Sequence, residues 1–202
     1  MRTIEYKVYN YDELSAQAQQ LAVDSLRDRI AGTIIESDAA DYRNTLEMIE
    51  QVFRVKVRDW YIDSCTHFFR FDFVGIDEDI ENEPRLFLRY LNNYILPCID
   101  NKKRYYSKTA RVSRKSRILC NKSYDYCLTG CWCDESVDNA LNNIKQSVKN
   151  KFNARDFVES ILEGFFEQWR NDCEYSTSNE CIAETIEANE YEFYENGKPY
   201  TD

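Results

Sequence analysis

The sequence predicts a single α+β domain of 202 residues, with about five to six helices packed on a small, mostly antiparallel sheet. Three observations support this fold class. Several long segments repeat apolar residues at helical spacing, and shorter segments alternate apolar with polar residues, as half-buried strands do. Five glycines and three prolines are too few for a many-turned β-sandwich. With 43% apolar residues, a chain of this length can bury one core.

The first quarter of the chain predicts one strand and two helices. Apolar and polar residues alternate over residues 3–9, which predicts a strand. Residues 14–30 carry apolar side chains at helical spacing, with Ser15 placed as the N-cap. Ser37 predicts the start of a second helix. The inner face of that helix is expected to carry Tyr42, Leu46, Ile49 and Phe53.

The next quarter predicts a pair of strands and a third helix. β-Branched and aromatic residues alternate over residues 55–62 and 68–74, on either side of a turn. Pro84 suits the first turn of a helix and Pro97 its end, so this helix is predicted over residues 86–96.

The second half of the chain begins with a segment of weak periodicity. Residues 101–125 predict a basic hairpin or loop. Helical spacing then predicts a helix over residues 137–148. The widest apolar stripe of the chain covers residues 157–169 and predicts the central packing helix, with Asn153 as its cap.

The C-terminal segment predicts a short helix and a hairpin. Thr177 and Glu180 fit a capping box at the start of the helix. Strand alternation returns over residues 191–194, and Asn196 with Gly197 is typical of a hairpin turn.

Positive charge is concentrated in one segment of an acidic chain. The net charge is −10, from 26 basic and 36 acidic residues, yet residues 102–122 hold nine basic residues and no acidic one. The rest of the chain therefore carries a net charge of −19. Cations beside Tyr105 and Tyr106 suit a nucleic acid, because phosphates attract cations and bases stack on aromatic rings. We expect this segment to bind nucleic acid or an acidic partner through Lys102, Lys103, Arg104, Lys108, Arg111, Arg114, Lys115 and Arg117. The alternative is a solvated loop, or a strip that neutralises the acidic remainder.

Acidic residues are densest near the C-terminus. They predict a surface that imitates an array of phosphates and occupies a basic groove of a partner. The side chains expected to do so are Asp172, Glu174, Glu180, Glu184, Glu187 and Glu190. The alternative is the ordinary solvent-facing side of an amphipathic helix.

Cysteines and histidine offer little support for a metal site or a catalytic site. Four of the eight cysteines lie close together, with six, three and one residues between them: Cys120, Cys127, Cys131 and Cys133. This spacing lacks the paired C-x2-C hooks of a zinc site, and the only histidine, His67, lies far away in sequence. We expect His67 to be a partly buried strand residue. These four cysteines are the only metal candidates, and we expect neither a metal nor a cofactor.

Enzyme motifs are missing from the sequence. The glycines are scattered, without a G-x-G-x-x-G or Walker pattern, and one histidine excludes most acid-base templates. The polar N-terminus does not resemble a secretory signal, and no apolar run reaches membrane-spanning length. These features predict a non-enzymatic, cytoplasmic protein with reduced thiols.

Five groups of residues carry a resemblance to known proteins. They are residues 11–15 (YDELS) with Ala18 and Ala22; residues 127–130 (CLTG) with Asp134; Trp169, Asp172, Glu174, Tyr175, Ser178 and Glu180; residues 186–193 (IEANEYEF); and residues 196–198 (NGK). Together they resemble a diffuse set of small phage- and prophage-encoded proteins, mostly of unassigned function. The resemblance implies an accessory protein made inside an infected bacterium. Such proteins are often inhibitors of host defence, including anti-CRISPR proteins, which commonly block the nucleic-acid channel of an effector.

We therefore expect a non-enzymatic binding protein, a phage-type inhibitor of a host defence nucleoprotein such as a CRISPR effector, that acts through its charged surfaces. Its partner would be a protein or ribonucleoprotein of the host cytoplasm, with no membrane involved. The alternative is a nucleic-acid-binding module that uses residues 102–122.

Overall fold

The computed structural model describes residues 7–63, 65–99, 123–144 and 152–200. Its helices are α1 Ala16–Phe53, α2 Glu78–Asn82, α3 Pro84–Tyr90, α4 Leu96–Ile99, α5 Glu135–Asn142, α6 Ala154–Ser176 and α7 Asn179–Ala188. The strands β1 Val55–Ile62 and β2 His67–Phe73 form a two-stranded antiparallel sheet. This composition confirms the predicted α+β class. None of the helices in the described ranges is both long enough and apolar enough to cross a membrane.

Contacts along the chain define two compact units. The first unit comprises Met1–Ala40 and Asn171–Asp202, and the second comprises Asp41–Arg170. Helices α1 and α6 each contribute residues to both units.

Helix α1 is continuous over 38 residues, so the prediction of a break before Ser37 is wrong. Its start agrees with the sequence, because the Ser15 hydroxyl accepts the N–H of Ala18 at 3.3 Å. No proline interrupts the segment, and Gly32 inside a helix costs only about 1 kcal/mol. Ala31 and Ala39 are buried on either side of Ser37. Burial of these side chains stabilises the continuous helix more than a cap at Ser37 would stabilise a break.

The core of the first unit lies between α1, α7 and the C-terminal segment. Leu14 and Leu26 are buried with Ile182, Ile186 and Phe193. Burial of side chains of this kind contributes about 1.5–3 kcal/mol each.

The start of α7 differs by one residue from the predicted capping box. The Ser178 hydroxyl accepts the N–H of Cys181 at 3.1 Å, whereas the Thr177 hydroxyl donates to the carbonyl of Glu174. The prediction of Thr177 as the cap is therefore wrong, because its hydroxyl already bonds the end of the preceding helix.

In the second unit, α6 is the central packing element, as predicted. Its start is capped by Asn153, whose side-chain oxygen accepts the N–H of Asp156 at 2.8 Å. Phe166 on its buried face contacts the sheet, with its ring centroid 5.3 Å from that of Phe69. The strand predictions are confirmed to within one residue, and the register runs from Val55 opposite Phe73 to Ile62 opposite His67.

The predicted helix end at Pro97 is wrong. A π-helical turn over Leu91–Ile95 follows α3, and Pro97 lies within α4. Proline lacks the N–H that an α-helix bonds to the carbonyl four residues earlier, and a wider turn accommodates this loss without ending the helix.

The C-terminal segment forms a narrow hairpin. Phe193 makes isolated antiparallel bridges with Tyr9 and with Pro199. Gly197 occupies the predicted turn, with φ of +78° and with its N–H bonded to the carbonyl of Tyr194. Of the predicted first strand, residues 7–9 are described; Tyr9 forms this single bridge, and residues 7 and 8 belong to no strand.

Candidate functional site

The predicted basic site lies outside the described residues. This applies to Lys102, Lys103, Arg104, Lys108, Arg111, Arg114, Lys115 and Arg117, and also to Cys120.

The predicted acidic residues all belong to the first unit. Glu174, Glu180, Glu184, Glu187 and Glu190 are exposed, whereas Asp172 is half-buried. On α7, the residues at positions 180, 184 and 187 follow helical spacing and share one outward side. None of the five exposed glutamates forms a salt bridge with a lysine or arginine of the described ranges.

Carboxylates outnumber cations in the first unit. Its described residues, 7–40 and 171–200, contain fourteen Asp and Glu side chains and four Lys and Arg side chains. Two of these cations already have partners. Arg27 bonds Asp24, and Arg29 stacks on the ring of Tyr191. The unit therefore presents a strongly negative surface, which attracts cationic groups.

A groove of about 530 Å³ opens on this acidic unit. Its lining residues come from two distant parts of the chain: Asn10, Tyr11, Asp12, Ile186, Glu187, Glu190, Tyr191 and Glu192. Four of the eight are carboxylates and two are tyrosines. We refer to this feature as the acidic groove.

One wall of the acidic groove is formed where α7 ends. Glu190 adopts a left-handed conformation, with φ of +52°, and its N–H bonds the carbonyl of Glu187. The N–H of Tyr191 then bonds the carbonyl of Ile186 at 3.2 Å. This reversal directs the chain out of the helix and towards its bridge with Tyr9.

The opposite wall is a short 3-10 turn, Tyr11–Glu13. The carboxylate of Glu13 accepts the N–H of Asn10 at 2.8 Å, which fixes the start of the turn. The ring of Tyr11 lies 6.3 Å from the buried ring of Phe193. Two reciprocal backbone bonds of 2.9 Å between Tyr9 and Phe193 join the two walls.

The groove suits a cationic group. Burial raises the pKa of Tyr11, and the Glu187 charge raises it further, so the phenol stays protonated. The Tyr191 ring already interacts with a guanidinium, since Cζ of Arg29 lies 5.4 Å from its centroid. The carboxylates attract a further ammonium or guanidinium ion by charge, and the Tyr11 ring offers a cation–π contact.

The acidic groove was only partly predicted from the sequence. Glu187 and Glu190 belong to the predicted acidic set, whereas Tyr11, Asp12 and Tyr191 do not. The signal that would have indicated Tyr191 is its position between Glu190 and Glu192, just after the helix. Nothing local links it to Tyr11, because the two are 180 positions apart.

A second group of carboxylates, Asp134 just before α5 and Asp138 within its first turn, holds the preceding loop of the second unit. One oxygen of Asp134 accepts the N–H groups of Leu128, Thr129 and Gly130 at 2.8, 2.7 and 3.1 Å. Its other oxygen accepts the Thr129 hydroxyl at 2.8 Å. Asp138 accepts the N–H groups of two further residues, Tyr126 and Cys127. We refer to residues 124–134 as the anchored loop.

Three of the four candidate metal-binding cysteines lie in or beside the anchored loop. The Sγ atoms of Cys131 and Cys133 are 3.6 Å apart. Burial raises the pKa of Cys127, and the neighbouring carboxylate of Asp138 raises it further, which disfavours the thiolate that a metal requires. Within the described ranges, no three His, Cys, Asp or Glu side chains are grouped so that they could hold a metal ion.

His67 is a strand residue with a largely buried side chain. It begins β2, and Nε2 of its ring lies 3.0 Å from the carboxylate of Glu163. The ring packs against Phe166. This placement agrees with the prediction of a partly buried strand residue.

None of the protein-family models matches this chain. Curated proteins and solved structures gave no match either. The resemblance to phage-encoded proteins therefore stays a prediction.

Proposed function

We propose that the protein is a non-enzymatic binding protein whose first unit engages a basic surface of a partner. The acidic groove carries this proposal. Its four carboxylates form no salt bridge with any cation of the described residues, so their charge is available to a partner. An arginine or lysine side chain of the partner would enter the groove between Tyr11 and Tyr191. The glutamates on the outward side of α7 would face the surrounding basic residues.

A nucleic-acid-binding groove is the kind of basic surface that this arrangement fits. Proteins that hold nucleic acid use positively charged channels, and a CRISPR effector holds its heteroduplex in one. The resemblance to phage-encoded proteins favours the same class of partner, a host defence nucleoprotein. On this proposal the protein acts as an inhibitor, because its carboxylates occupy the place of phosphates.

Capture from bacterial lysate, followed by affinity measurement with the purified partner, tests the proposal. We expect a basic nucleic-acid-binding protein whose affinity falls as salt rises, because screening weakens attraction between exposed charges. We also expect nucleic acid to compete with the protein for the partner. At 0.05 and 0.5 M salt the screening lengths are about 14 and 4 Å. A partner that binds equally well at both salt concentrations would contradict the proposal.

A matched pair of variants assigns the binding to one face. Changing Glu180, Glu184 and Glu187 to glutamine removes three negative charges from the proposed surface. The control changes Asp41, Glu47 and Glu159 of the second unit to their amides, with the same change in net charge. We expect the first variant to bind about tenfold more weakly, equivalent to ~1.4 kcal/mol, and the control to bind as the wild type does. Equal weakening in both would indicate general charge attraction and no specific surface.

The alternative function, a nucleic-acid-binding module that uses residues 102–122, rests on the sequence alone. Reversing the charge of Arg111, Arg114, Lys115 and Arg117 separates the two functions. Loss of oligonucleotide binding with partner binding intact favours the alternative. If the variant binds both oligonucleotide and partner as the wild type does, the acidic groove is favoured as the binding surface.

A further inference from the structure

Cys131 and Cys133 form a thiol pair with unequal exposure. Their Sγ atoms lie 3.6 Å apart, on either side of Trp132 in sequence. Cys133 is buried and Cys131 is half-buried. An oxidant from solvent can therefore reach the first thiol, while the second lies behind it. A disulfide requires a sulfur separation of about 2.0 Å, so closing the pair brings the two sulfur atoms about 1.6 Å closer together.

The backbone that carries the pair is held at three points. The N–H of Cys131 donates to the Thr129 hydroxyl at 3.3 Å, and its carbonyl accepts the N–H of Asp134 at 3.1 Å. The carbonyl of Trp132 accepts a hydrogen bond from the Gln168 side chain at 3.1 Å. The two thiols are therefore preorganised by the anchored loop, and their proximity does not depend on a mobile segment.

The third described thiol of this region is in a different environment. Cys127 lies beside the carboxylate of Asp138, and its pKa is raised by burial and by that charge. Oxidation begins from the thiolate, so this environment disfavours reaction at Cys127. Oxidation is therefore expected at Cys131 and Cys133 because their sulfur atoms are close together. The raised pKa of the Cys127 thiol supports this selectivity.

We propose that Cys131 and Cys133 are a reversible oxidation site that closes to an intramolecular disulfide in response to a hydroperoxide. With hydrogen peroxide, the Cys131 thiolate attacks one oxygen atom, which gives a sulfenic acid and, after protonation of the leaving hydroxide, one water. The Cys133 sulfur then attacks the Cys131 sulfur, the S–S bond forms, and the second water leaves. The two thiols together lose two protons and two electrons, and the peroxide is reduced to two waters.

The small ring formed by this bond makes it a labile modification. Closing a loop of three residues removes little entropy from the unfolded chain, so the bond contributes little to stability. Cys131 is half-buried, and disulfides that solvent can reach have more oxidising potentials and are readily reduced. The site is therefore suited to reversible oxidation and not to stabilising the fold.

Mass spectrometry of the full chain tests the proposal. The reduced protein is treated with hydrogen peroxide, its mass is measured intact, and its peptides are mapped without reduction. We expect a mass lower by two hydrogens, a cross-link confined to Cys131 and Cys133, and full reversal by dithiothreitol. We also expect the emission of the intervening Trp132 to change with the same time course. A cross-link to Cys120 or to any other cysteine would overturn the proposal.

Single substitutions provide the controls. Cys133→Ser should stop the reaction at a sulfenic acid on Cys131, which dimedone traps. Cys127→Ser should leave the cross-link unchanged. Retention of the two-hydrogen loss in Cys133→Ser would overturn the assignment. The peptide map of the wild-type protein decides the question on its own if the buried Cys133 does not tolerate serine.

Discussion

Carboxylates serve opposite purposes in the acidic groove of the first unit and in the anchored loop of the second. Asp134 and Asp138 are buried and accept five backbone N–H groups between them. The side chains of Glu187 and Glu190 are exposed and accept no hydrogen bond from the described residues. A carboxylate whose oxygens are used by its own chain fixes the fold, whereas one left to water is available to a partner.

The difference also predicts where each unit obtains its stability. A hydrogen bond to a charged group contributes about 1.5–3 kcal/mol, so the anchored loop depends on the side chains of Asp134 and Asp138. The first unit is stabilised by apolar burial and by backbone contacts, and its exposed carboxylates repel one another. Substitutions of the buried aspartates should therefore lower stability, whereas substitutions of the exposed carboxylates in the acidic groove should lower binding.

The largest effect is expected at Asp134. Asp134→Ala removes the acceptor for three N–H groups and for the hydroxyls of Thr129 and Thr45. We expect it to lower the free energy of unfolding by about 3 kcal/mol. The matched control is Glu187→Ala in the acidic groove, which should change stability by less than about 0.5 kcal/mol. Urea denaturation of both variants gives the comparison. Similar losses in the two would show that burial does not distinguish these carboxylates.

A smaller loss is expected where the hairpin of the first unit approaches α1. A Cβ atom at Gly197 would lie 2.1 Å from the carbonyl oxygen of Ala18, and φ is +78°. Gly197→Ala should therefore cost about 2–3 kcal/mol through both the clash and the backbone strain. Gly75→Ala is the control, because φ there is +70° and nothing lies within 4 Å of the added atom.

We expect the Gly75 variant to lose only about 1 kcal/mol, from the strain alone. The difference between the two variants in thermal or urea unfolding measures the close contact with Ala18. Equal losses of stability in the two variants would mean that the hairpin moves away from α1 without an energetic cost. The backbone that forms the acidic groove would then be less rigid than its contacts imply.

Local patterns in the sequence predicted the elements better than the site. The stripe of α6 and its Asn153 cap were predicted correctly, because both depend on residues close together in the chain. The break at Ser37 was wrong, since burial of Ala31 and Ala39 depends on partners distant in sequence. For the same reason the acidic groove was missed as a unit. Its charge is visible in the composition, but the pairing of Tyr9 with Phe193 that brings its walls together is not.

The smallest effect is expected at Glu190, and it tests the comparison most directly. Its left-handed conformation is strained for glutamate and free for glycine, so Glu190→Gly should relieve about 1 kcal/mol in the folded state. Greater freedom of glycine in the unfolded chain offsets part of this gain. We therefore expect a variant whose stability is unchanged or higher by up to ~0.5 kcal/mol, and whose affinity for a basic partner is lower. Thermal unfolding and the salt-dependent binding assay measure the two effects separately. A clear loss of stability would show that this carboxylate supports the fold, as Asp134 does, and would remove it from the binding surface.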